Sequence, residues 1–116
     1  SSENVNMSKQ LLANETKQFL ESNYQHVLSN NDLKNQFSYS AAHLTNIFKE
    51  YYHSTPLDYL HKFRIKIAIR LLKSRPDLNI SEIGSQCGFP DPSYFSRAFK
   101  KSTGFSPDAY RKKKDF

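Results

Sequence analysis

One cysteine, three glycines and the absence of any long apolar run bound what this 116-residue chain can be. A lone thiol, Cys87, can close no internal disulfide and seed no Cys-rich metal site, so a reducing compartment, the cytoplasm, is the expected setting. No apolar stretch approaches the roughly 20 residues of a membrane-spanning helix. With 37% hydrophobic residues and a mean hydropathy of -0.73, the composition is that of a soluble domain with no membrane role. The opening SSENVNMSKQ lacks the basic start, apolar run and small-residue cleavage site of a secretory signal. It begins on Ser rather than Met, which points to a piece of a longer protein. The histidines His26, His43, His53 and His61 show no H-E-x-x-H or comparable spacing, so no metal, no cofactor and no enzyme activity is expected.

Scarce glycine goes with another absence, since no stretch alternates with the period of two that marks a half-buried strand. Apolar residues instead recur at three and four, and the chain reads as all-α. A first helix over residues 8–27 would bury Leu12, Thr16, Phe19, Leu20 and Asn23 or Tyr24. Side-chain oxygens suited to accept from a free first turn then follow in series. Ser29 with Asp32, Thr55 with Asp58 and Asn79 with Glu82 fit capping boxes; Ser40 can cap the stretch from Ala41, and Asp91-Pro92 and Ser106-Pro107 pair an acceptor with a first-turn proline. These starts predict further helices over 30–37, 41–53, 56–74, 80–87, 92–102 and 107–113, seven in all.

Part of this order is written twice. FPDPSYFSRAFKKSTGFSPDAY, residues 89–110, echoes SYSAAHLTNIFKEYYHSTPLDY, residues 38–59, with Phe99-Lys100, Pro107 and Tyr110 falling on Phe48-Lys49, Pro56 and Tyr59. Each copy is a short helix, a tight turn, a second helix and a Ser/Thr-Pro start, which is helix-turn-helix grammar. Leu33 and Phe37 face inward in the first short helix, Ile83 and Cys87 in the second. A solenoid is the competing explanation, but two units fall short of the three or more it generally needs. The expected organisation is a disordered tail or linker over 1–7, a first subdomain over 8–55, a linker helix over 56–74 and a second subdomain over 75–116.

The copies share what they bury and differ in what they show. At 100° per residue, Leu44, Ile47, Phe48 and Tyr51 form one stripe of the helix from Ala41, opposite Ala42, Thr45, Asn46 and Lys49. On the helix from Pro92 the inward stripe is Phe95, Ala98 and Phe99, and the free face holds Ser93, Ser96, Arg97 and Lys100. Such outward residues suit base edges: Asn pairs with adenine, Arg with guanine, Ala or the Thr methyl packs on thymine, and lysines reach phosphates. Charge agrees, because residues 1–55 carry four Lys/Arg against five Asp/Glu and residues 56–116 carry thirteen against six. Between the copies, Leu57, Leu60, Ile67, Ala68, Leu71 and Leu72 line a helix about 28 Å long, close to the roughly 34 Å between successive major-groove faces. Lys62, Arg64, Lys66 and Arg70 add charge along it, some for phosphates, with Arg64 alternatively held in a structural pair with an acid.

The stretch ISEIGSQCGFPDPSYFSRAFKKSTGFSPDAYRK resembles the second helix-turn-helix and closing signature of the AraC/XylS transcription regulators. DLKNQFSYSAAHLTNIFKEYYHSTPLDYLHKFRIKIAIRLLKS is similar to their first unit and linker helix. The resemblance covers residues 8–113 and implies a bacterial seven-helix domain with two helix-turn-helix subdomains joined by a long linker helix. It implies sequence-specific binding to double-stranded promoter DNA, usually activation through RNA polymerase, and an effector-binding and dimerisation domain ahead of this segment. Base-reading positions then fall on Ala42, Thr45, Asn46, Ser93, Tyr94 and Arg97; Tyr94 lies on the flank of its helix, suited to backbone or sugar. Backbone contacts fall to Lys49, Lys62, Ser96, Lys100, Lys101 and Arg111. Where the family usually has Ala, this chain has Lys34, whose stem must turn outward, and Gly84, at a close approach of two helices. A basic interaction module for an acidic protein partner is the rival reading, and Cys87 as a nucleophile is a further one, set against its inward position.

Overall fold

The computed structural model describes residues 2–26 and 28–113, with side chains from Met7 onward. Ser1, Val27 and residues 114–116, reached by the expected tail, first helix and second subdomain, lie outside the described residues. Among the described residues there are seven helices and no strand: α1 (Ser2–Ser22), α2 (Asn30–Phe37), α3 (Ala41–Tyr52), α4 (Pro56–Ser74), α5 (Ile80–Gln86), α6 (Pro92–Thr103) and α7 (Pro107–Lys112). The first helix differs most from the sequence reading, starting at Ser2 and ending at Ser22. No glycine or proline interrupts residues 1–22, and the Asn23 side chain closes the end by donating to the Phe19 carbonyl at 2.9 Å.

Each later start is capped at the residue its sequence predicts, although the expected box of Thr55 with Asp58 shows only its Thr55 half. Ser29 and Asn79 form reciprocal boxes with Asp32 and Glu82, and the hydroxyls of Ser40, Thr55 and Ser106 accept from the backbone of His43, Asp58 and Ala109 at 3.2, 3.1 and 3.1 Å. Asp91 accepts from Ser93 at 3.0 Å. Stops recur too. Gly88 and Gly104 have φ of 96° and 86°, and the corresponding Ser38 and His53 sit at 59° and 60°. A left-handed residue closes both short helices and both second helices, but the first copy builds this without glycine, at a steric cost of roughly 1 kcal/mol each. His53→Gly therefore raises the unfolding free energy by about 0.5–1 kcal/mol, read from the denaturant midpoint at unchanged slope.

The chain divides into two compact units, Ser1–His61 and Lys62–Phe116, with the division falling inside α4. In the first, Leu20, Leu33, Leu44, Phe48 and Leu60 form the core, with Leu12, Phe19, Phe37, Tyr52 and Tyr59 packed around it. Thr16 is buried among these apolar neighbours, its hydroxyl donating to the Leu12 carbonyl at 2.8 Å. The hydroxyls of Tyr52 and Tyr59 donate to Asn14 and Glu21 of α1; burial and the Glu21 carboxylate hold the Tyr59 proton well above the ordinary phenol range. Tyr51, expected in the buried stripe, is only half-buried; Tyr52 instead packs its ring 4.9 Å from Phe48.

The second unit buries Ile65, Ala68, Leu72, Leu78, Ile83, Cys87, Phe89, Phe95, Ala98 and Phe99. Gly84 is where α5 meets α6, since a Cβ there would stand 2.6 Å from Phe95 Cδ2. Lys34, its counterpart in α2, is exposed, as an outward-turned stem requires.

Candidate nucleic-acid interface

Helix α6 hangs on Phe95 and Phe99, both 0% exposed, and Ala98, with ring centroids of Phe95 and Phe99 5.9 Å apart and Phe99 meeting Tyr110 of α7 edge-on at 5.4 Å. Fixing that stripe fixes the opposite one: Ser93, Arg97 and Lys100 are exposed at i, i+4 and i+7. In α3 the stripe is Leu44, Ile47 and Phe48, and Ala42, Asn46 and Lys49 are exposed at the same spacing and at the corresponding positions. Thr45 and Ser96 correspond as well, and both are half-buried at the edge of these faces. Each unit thus brings its own candidate reading residues onto one face.

The cations on these faces are available. The ion pairs found among the described residues join Arg75 to Asp77 at 2.8 Å and Lys112 to Asp108 at 3.1 Å; they engage neither Arg97 nor Lys49, Lys100 or Lys101. Lys62 is exposed on α4 and Lys101 at the end of α6. The lysines and Arg97 can therefore meet an anion without first breaking an internal pair.

Arg111 is engaged within the protein. Expected at the DNA backbone, its guanidinium is half-buried and turned inward, donating through Nη1 to the Leu78 carbonyl at 2.7 Å, through Nη2 to that of Arg75 at 3.2 Å and through Nε to that of Leu72 at 3.4 Å. Those carbonyls end α4 and lead into α5, where a helix terminus offers acceptors with lone pairs to spare and negative potential; that of Arg75 also accepts from the Leu78 N–H at 3.1 Å. A planar fork of donors matches this cluster as a lysine could not.

Tyr94 is 47% exposed on the flank of α6 with its ring 6.0 Å from that of Phe89. Arg64 lies over the same Phe89 ring at 5.9 Å, near Tyr94, and burial lowers its pKa from the ordinary guanidinium value. The aromatic face thus supplies a partner where sequence reasoning looked to an acid. Sequence reasoning also missed Tyr39, 45% exposed, which stacks on His43 at the start of α3 with centroids 4.9 Å apart. Aromatic spacing of four across a turn was the available signal. Cys87 is 0% exposed, and burial pushes its thiol up to about 12, the reverse of an activated nucleophile. Among the described residues no three His, Cys, Asp or Glu side chains converge as a metal site would require, and no helix is long and apolar enough to cross a membrane.

Residues 33–113 match the sequence profile of a helix-turn-helix domain family. The chain is 34% identical to the Msm operon regulatory protein of Streptococcus mutans over 110 residues, 95% of this chain and 39% of that protein. It is 37% identical over 79 residues to the transcriptional regulator AlkR of Acinetobacter baylyi, 68% of this chain and 26% of the relative. This chain therefore spans well under half the length of these relatives. Among solved structures, the C-terminal domain of the response regulator AraT from Geobacillus stearothermophilus superposes with a TM-score of 0.82 at 29% identity, covering 86% of this chain and 83% of that one. The DNA-binding domain of AdpA, determined with a target DNA, gives 0.79 at 26% identity over 85% and 88% of the two chains.

Proposed function

The chain belongs to the AraC-type helix-turn-helix family of DNA-binding transcription regulators, and from that premise we propose that α3 and α6 are its two reading helices, inserted into adjacent major grooves of promoter DNA. The observation that carries this reading is the pairing of like cores with unlike faces. Phe48 and Phe99 are equally buried at corresponding positions, whereas Ala42, Asn46 and Lys49 on one unit answer to Ser93, Arg97 and Lys100 on the other. Two helices held alike and furnished differently read different base pairs, so the site is asymmetric.

In this reading Ala42, Thr45 and Asn46 contact bases in one groove, Ser93 and Arg97 in the next, and Tyr94 packs on sugar or backbone. Lys49, Lys62, Ser96, Lys100 and Lys101 serve phosphates; Arg111 does not. Activation through contact with RNA polymerase completes the proposal. So does regulation of a larger protein whose effector and dimerisation functions reside outside these residues, a view supported by the greater length of the relatives.

Arg97→Ala and Lys100→Ala separate base reading from phosphate contact. Arg97→Ala costs roughly 1–3 kcal/mol on the preferred duplex and relaxes preference at one base pair. Lys100→Ala weakens all duplexes alike and lowers the slope of log K against log salt by about 0.9. Titrations of preferred and scrambled duplexes at several salt concentrations measure both. Unchanged sequence preference in Arg97→Ala would remove that residue from the reading set.

A further inference from the structure

The second unit carries another surface, apart from the reading face. Residues 62–70 of α4 and the end of α6 border a groove of about 440 Å³. Its floor is Ile65, 4% exposed, and the half-buried Ile69. Exposed Lys66 and Arg70 stand along the α4 wall, with Lys62 at its end. The wall from α6 is Ser102 and Thr103. The Thr103 hydroxyl is occupied, within 2.9 and 3.0 Å of the Phe99 and Phe105 carbonyls and accepting from the Phe105 N–H at 3.2 Å, so Thr103 has its methyl left to offer. Positive charge therefore lines one side of an apolar trough.

That asymmetry selects the occupant. A phosphate backbone needs cations but no isoleucine floor, and on the reading faces the lysines stand beside polar residues. Lys66 and Arg70 stand four residues apart, about 6 Å along α4, which matches the i, i+4 rows of a second helix laid alongside. Lys66 and Arg70 enter neither ion pair found among the described residues. We propose that this groove receives an acidic amphipathic helix of a partner protein, its apolar row on Ile65 and Ile69 and its carboxylates toward Lys66 and Arg70. This is helix-in-groove recognition, in which apolar anchors supply affinity and the charged edge sets orientation and register. It stands beside DNA binding rather than in place of it, with Lys62 left to its phosphate.

The test titrates the isotope-labelled 116-residue chain with a synthetic helix carrying Leu at i, i+3, i+4 and i+7 and Glu along one flank. Saturable binding with amide shifts concentrated at residues 65–70 and 102–103 is expected. Ile69→Gln should weaken the peptide by about tenfold or more while leaving duplex affinity within twofold; Lys66→Glu, at an exposed position, should weaken the peptide as much with a several-fold smaller loss on the duplex, and tests the idea even if Ile69→Gln perturbs folding. Replacing the peptide's Leu by Ser, or its Glu by Lys, should abolish binding. The proposal is overturned by shifts centred on the faces of Asn46 and Arg97, by no saturable binding, or by equal binding of the Ser-substituted peptide. Loss of duplex affinity in Lys66→Glu as large as its loss of peptide would also overturn it, returning the stripe to the DNA phosphates.

Discussion

Arg111→Ala lowers the unfolding free energy by about 2–4 kcal/mol and leaves the salt dependence of DNA binding unchanged. The magnitude follows from charge-assisted hydrogen bonds worth roughly 1.5–3 kcal/mol each when well formed, of which the 2.7 Å bond to Leu78 is the strongest and the 3.4 Å contact with Leu72 contributes least. Water can replace part of the loss because the Arg75 end of the cluster is exposed, which holds the total below the sum. Truncation leaves the end of α4 without its cation and frees α7, whose Tyr110 packs against Phe99 of α6. Arg111→Lys keeps the charge but not the fork, and should recover less than half of the loss. Denaturant unfolding gives the stability. Titration of the still-folded variant at low temperature gives the salt slope, and a fall of about 0.9 would return Arg111 to the DNA backbone.

Gly84→Val destabilises by about 3 kcal/mol, at the upper end of the roughly 1–3 kcal/mol of overpacking, and abolishes DNA binding at temperatures where the parent chain is fully folded. Its Cβ alone would lie 2.6, 2.8 and 3.2 Å from Cδ2, Cγ and Cβ of Phe95, and valine adds two methyl groups beyond it. The Phe95 ring cannot swing clear, because it is wholly buried with neighbouring rings of Phe89 and Phe99 at 5.2 and 5.9 Å. Helix propensity favours Val over Gly by only a few tenths of a kcal/mol and cannot offset the clash. Because α6 is positioned through Phe95, displacement is transmitted to Ser93 and Arg97. Adding Phe95→Leu should restore part of the stability by vacating ring volume. A double variant no better than the single would show that the contact is not where the strain lies.

Much of this architecture is legible in the amino-acid sequence alone, for local reasons. A helix start needs an acceptor a few residues ahead of free N–H groups, so Ser29, Ser40, Thr55, Asn79, Asp91 and Ser106 announce themselves. The outward faces of α3 and α6 are legible because a 3.6-residue period fixes which side is left over once Leu44, Phe48, Phe95 and Phe99 are buried. What escapes such reading depends on chain segments far apart or on rare conformations. Arg111 reaches carbonyls 33 to 39 residues away, and no local pattern distinguishes an inward guanidinium from a phosphate contact. Ser38 and His53 take left-handed conformations that glycine would have advertised. Ile65 is buried although it falls outside the apolar stripe drawn along α4, because it joins Ala68 and Leu72, three and seven residues on, in the core of the second unit.

In the proposed function two unlike faces read two different stretches of one duplex. Selection of binding sites from random duplexes by the parent chain, Asn46→Ala and Arg97→Ala addresses it most directly. The parent should enrich an asymmetric site with two conserved segments centred roughly 10 base pairs apart. Asn46→Ala should flatten preference in one segment only, and Arg97→Ala in the other. No enriched sequence at physiological salt, or both variants relaxing the same base pairs, would rule out two separate reading faces.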